Sequence, residues 1–111
     1  MCMRTSVATL LIALAGAIAM TSFAAAAGPA VATKWRDLAE SQNDCLAHAA
    51  AALFKAGFDA GDFGSQSRSG RYGDYTASIR CVSDRRVVFF VLSGPEPAQV
   101  SRYLDILYTR F

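Results

Sequence analysis

Two of the three cysteines, the single histidine and a group of scattered arginines are the side chains of this 111-residue sequence with chemistry to offer. Cys45 falls on the apolar stripe of a helical pattern, and Cys81 falls on the same strand face as Ile79. Both sulfurs therefore point into one core, and a structural disulfide is the expected outcome. A redox-active pair would need the Cys-x-x-Cys spacing that lowers a thiol pKa, and these two cysteines lack it. His48 follows Cys45 by three residues, so a helix would carry two metal ligands on adjacent turns. A structural zinc site needs four ligands and a catalytic one three, and no second Cys/His pair is present. His48 is read as a helix-surface residue.

Other catalytic arrangements fail on composition. His48 is the only side chain that could serve as base to a serine, and no G-x-S-x-G elbow occurs. Asp59 and Asp62 lie in a glycine-rich stretch whose spacing does not match a calcium loop. A phosphate-binding G-x-x-x-x-G-K-[ST] is missing. Gly94-Pro95 opens a helix, but Glu96 disfavours an anion there and proline removes a donor. The expectation is that there are no catalytic residues, no metal and no cofactor. The rival reading is a small enzyme or metal-binding protein using His48 with the loop carboxylates.

Arg68, Arg71, Arg80, Arg85 and Arg86 gather in one half of the sequence, interleaved with Asp59, Asp62, Asp74 and Asp84. The formal net charge is only +2. A nucleic-acid binder carries a concentrated basic face, so nucleic acid is not an expected partner.

The first 27 residues read as an address. Arg4 precedes Val7 to Met20, a run free of charge, and Ala24 to Ala27 follow. A basic start, a short apolar stretch and an Ala-x-Ala exit make a cleaved signal peptide, residues 1–27. The apolar run alone is shorter than the roughly 20 residues a membrane-spanning helix needs, so no stable insertion is expected after cleavage. An uncleaved leader tethering a membrane accessory subunit is the alternative. Export to the periplasm or the exterior would expose Cys45 and Cys81 to an oxidising medium. Cys2 leaves with the leader.

The remaining sequence must position these groups. Residues 28–34 read as a flexible lead-in, and 35–111 as a single small domain. Residues 34–40 suit either a helical extension, the preferred reading, or a short strand turning Trp35 inward. Leu38, Gln42, Cys45, Leu46, Ala49, Ala52, Leu53 and Ala56 recur at helical spacing. Ser41 and Asp44 resemble a capping box, and Gly57 with Phe58 make a stop signal. The glycine-rich segment 58–73 reads as a loop or a weak edge strand around 63–68. Tyr75 to Val82 alternates cleanly, and Val87 to Leu92 is apolar at every position; together they predict a strong antiparallel hairpin over 75–92. A second helix follows Pro95 and Pro97, with Val100, Tyr103, Leu104, Leu107, Tyr108 and Phe111 on one stripe.

The expected fold is α+β, a small two-layer domain in which an antiparallel sheet packs against two amphipathic helices. With the helices covering the Cys81 face, Val88, Phe90 and Leu92 are expected on the uncovered side. They would form an interaction surface with Arg80 and Arg86 nearby. The function that follows is an exported, disulfide-stapled, non-enzymatic module that binds an unknown protein partner or a second copy of itself.

Overall fold

The computed structural model describes residues 28–111; the stretch 1–27, read as a cleaved signal peptide, lies outside the described residues. Strand β1 (Ala30–Asp37) is followed by helix α1 (Gln42–Lys55), strands β2 (Asp59–Phe63), β3 (Ser67–Tyr72), β4 (Tyr75–Val82) and β5 (Val87–Gly94), and helix α2 (Pro97–Arg110). The strands form one antiparallel sheet in the order β1-β5-β4-β3-β2. Both helices lie on the same face of it. This is the α+β two-layer arrangement that the periodicities imply.

Local chemistry explains the limits of α1. The Ser41 hydroxyl accepts from the Asp44 amide at 3.2 Å, which satisfies one of the orphan donors of the first turn. At the other end Gly57 takes a φ of 86°, in the left-handed region that costs a side-chain-bearing residue most. The Phe58 amide then reaches back to the Leu53 carbonyl and the Gly57 amide to that of Phe54. These two bonds make a Schellman stop, and Phe58 is delivered into the core beside Leu53.

The core lies between the helices and the inner sheet face. Cys45, Ala49, Ala52 and Leu53 of α1 and Val100, Leu104 and Leu107 of α2 meet Ala77, Ile79, Cys81, Val88, Phe90 and Leu92 of the sheet. The β4–β5 register pairs Ala77 with Leu92, Ile79 with Phe90 and Cys81 with Val88. Directly opposed residues share a face, so the register places Val88, Phe90 and Leu92 beneath the helices. Each is fully buried. The expectation that these three form an outward surface is therefore wrong. Phe90 packs edge-on against Tyr108 and Phe111, with ring centroids 5.2 and 5.3 Å away.

Two further expectations are corrected. Residues 30–34 are not a flexible lead-in, and 34–40 do not extend α1: Ala30–Asp37 is an edge strand hydrogen-bonded to β5. Its even-numbered positions face the helices, yet two of them are cations. Lys34 bridges Asp105 at 2.6 Å and sits 4.9 Å from the Tyr108 ring centroid. The Arg36 guanidinium lies 4.8 Å from the Phe111 ring centroid and 4.9 Å from that of Tyr108. Their stems cover apolar surface while the charges meet aromatic faces. The glycine-rich segment is likewise two paired strands, β2 and β3, where a single weak strand was expected.

Candidate functional site

Cys45 and Cys81 are joined, with Cα atoms 6.1 Å apart, and the bond ties α1 to β4. Closing a loop of 36 residues restricts the unfolded chain by about 3–4 kcal/mol. Gln42 reinforces the same junction. Its amide nitrogen donates to the Cys81 carbonyl at 2.8 Å and to the Ser65 carbonyl at 3.0 Å, and its oxygen accepts from the Ser83 amide. Both cysteines are enclosed by the core, the setting of a structural staple.

His48 stands on the exposed side of α1. Its Nδ1 meets the Glu40 carboxylate, and its ring edge faces Phe111 at 6.1 Å. Cys45 is committed to its disulfide, which dissolves the Cys-x-x-His pair. Among the described residues no three His, Cys, Asp or Glu side chains are placed to hold a metal ion.

What the fold leaves open is the outer face of the sheet. The registers set Trp35, Phe89, Arg80 and Ser67 in one row across four strands, and Thr33, Val91, Ser78 and Ser69 in the next. Val31, Ser93, Thr76 and Arg71 make a third row. The β1–β5 half is apolar and accessible: Val31 and Trp35 are 62% exposed, Phe89 42% and Val91 36%. The β4–β3 half is hydroxylic and cationic. Ser69 and Ser78 join hydroxyls at 3.2 Å, and the Arg80 guanidinium donates to the Gln66 side chain. An aromatic pair beside a fixed guanidinium is the composition found at the centres of protein interfaces. Phe54, by contrast, is a single exposed aromatic on α1, an ordinary feature of protein surfaces.

Of the side chains expected to form a surface, only Arg80 lies on this face. Arg86 sits in the β4–β5 connection with a φ of 57°, where its carbonyl accepts from the Leu38 amide at 2.8 Å. The open face is built instead from Val31, Trp35, Phe89 and Val91. Its signal was present in Val87–Leu92, whose apolar run offers two candidate faces, and register with β4 decides between them.

Among the described residues, no helix is long and apolar enough to cross a membrane. No protein-family model matches the chain, and no curated protein matches it in sequence.

Proposed function

We propose that this protein is an exported, non-enzymatic interaction module that binds a protein partner through the open face of its sheet, with Trp35 and Phe89 as the anchors. One observation carries the reading: a cross-strand aromatic pair, flanked by Val31, Val91 and Arg80, lies accessible on a sheet whose opposite face carries both helices and the core. A monomeric domain gains nothing from holding such a pair in water. The disulfide supports an oxidising compartment, because cytosolic thiol pairs are kept reduced. The leader reading supplies the route to that compartment.

The test places a photo-crosslinking amino acid at Phe89 and, separately, at Ala47 on the exposed side of α1, in cells that export the protein. A discrete adduct from position 89 and none from position 47 is the expected result. Equal labelling from both positions, or none from either, rejects the face as a binding surface. Intact mass of the exported protein tests the leader: loss of about 27 residues fits cleavage by the peptidase. Retention of the full mass instead favours the tethered form.

A further inference from the structure

The outer edge of β1 is open as well as its face. The Leu38 amide donates to the Arg86 carbonyl, in phase with the β1–β5 register, so the even-numbered residues of β1 hydrogen-bond to β5. In an antiparallel ladder the alternate residues turn their amides and carbonyls the other way. Val31, Thr33, Trp35 and Asp37 therefore direct their backbone groups outward. Among the described residues no strand pairs with that edge. The opposite edge strand, β2, is shorter and interrupted by Gly61, which suits it less well to pairing.

We propose that β1 pairs antiparallel with β1 of a second copy, about a two-fold axis through Thr33, giving a continuous ten-stranded sheet. The side chains select both the occupant and the register. Among the residues whose exposure is described, Val31 and Trp35 share the highest value of the large apolar residues of the sheet, and they stand at equal distances on either side of Thr33. An axis at Thr33 sets Val31 against the partner's Trp35 and Thr33 against the partner's Thr33, favourable cross-strand pairs on the open face. On the inner face it sets Lys34 against the partner's Ala32 and Arg36 against the partner's Ala30. Moving the axis to Lys34 would oppose two lysines, and moving it to Trp35 would oppose Lys34 and Arg36; like charges directly opposite are destabilising.

Inward-pointing cations often keep an edge strand from pairing. Here Lys34 is engaged by Asp105, and Arg36 lies over the rings of Tyr108 and Phe111, so both are drawn toward α2 and away from the edge. The contact is isologous, as two-fold dimers require, and contributes about six backbone hydrogen bonds. It also joins the two Trp35–Phe89 pairs into one platform. The pairing uses the strand edge and stands independently of the face reading.

Sedimentation equilibrium of protein purified from cells expressing the full chain, across the micromolar range, reads the association directly. The wild type is expected to move from monomer to dimer mass. Thr33→Pro removes an amide that faces away from β5, so it leaves the β1–β5 bonds in place and should hold the protein at monomer mass. A Thr33→Cys variant supplies a second readout that does not depend on the proline variant folding. Under mild oxidation it should cross-link to a covalent dimer, while Val91→Cys, one strand in from the edge, should not. A wild type that stays monomeric, a dimer that a folded Thr33→Pro leaves intact, or cross-linking at Thr33→Cys no faster than at Val91→Cys overturns the proposal. A monomer that still gives the adduct from position 89 removes the pairing and leaves the binding face standing.

Discussion

Strand β5 carries two apolar faces with opposite fates. Val88, Phe90 and Leu92 are fully enclosed, while Phe89 and Val91, their immediate neighbours in sequence, remain accessible to water. No difference in residue type separates the two sets. The difference comes from pairing: β4 contributes Ala77, Ile79 and Cys81 to one side and Thr76, Ser78 and Arg80 to the other. Both helices, the first of them stapled through Cys45, settle on the side that β4 has made apolar. A face is buried when its neighbours across the ladder agree with it, so what remains on the other side of a doubly apolar strand is surplus to folding.

That contrast is most directly broken at Phe90 and Phe89. Phe90→Ala removes a ring with no exposed surface, held edge-on by Tyr108 and Phe111, and should cost about 3–5 kcal/mol in urea unfolding. Phe89→Ala removes a half-exposed ring opposite Trp35 in the register and should cost about 1 kcal/mol. Equal losses at the two sites would mean that the outer face is packed in the folded monomer, and the surface reading would go with it.

A milder probe sharpens the same contrast at the end of the strand. Gly94 is buried on the helix side, and a Cβ built there would stand 2.2 Å from Cδ1 of Tyr75. Gly94→Ala must displace the Tyr75 ring and so disturb its edge-on packing with Tyr103, whose ring centroid is 4.9 Å from it. Overpacking of this kind costs about 1–3 kcal/mol. Ser93→Ala, one residue earlier and on the open face, should change stability by no more than about 0.5 kcal/mol. Thermal or urea unfolding of the two variants side by side measures the difference.

The parts of the fold that were legible are those whose signals are local. Ser41 and Gly57 bound α1 because capping and left-handed glycine are decided within a few residues. Cys45 and Cys81 could be paired because each lies on a periodic element that points it inward. Strand β1 was hidden because its inward positions hold Lys34 and Arg36, which read as solvated until Asp105 and the rings of α2 are set against them. Strands β2 and β3 were hidden because serine and glycine carry little strand preference, and their order depends on pairing with β4. The candidate site was misassigned by one residue of parity. Register is a relation between two strands, and a one-residue slip moves every side chain to the opposite face.

The smallest expected effect concerns the same aromatic corner and depends on pH. Partial burial, with the neighbouring Tyr103 and Glu96, raises the Tyr75 hydroxyl above the ordinary phenol value of 10.0. The folded protein therefore keeps the proton at Tyr75 to a higher pH than the unfolded chain does. The stability linked to this group is complete below the unfolded value and falls as pH rises through the raised folded value. Urea midpoints measured from neutral pH upward should decline more steeply for the wild type than for Tyr75→Phe, which retains the ring and lacks the titrating hydroxyl. Parallel curves would show that the hydroxyl is as well solvated in the folded protein as in the unfolded chain, and that the enclosed layer ends before it reaches Tyr75.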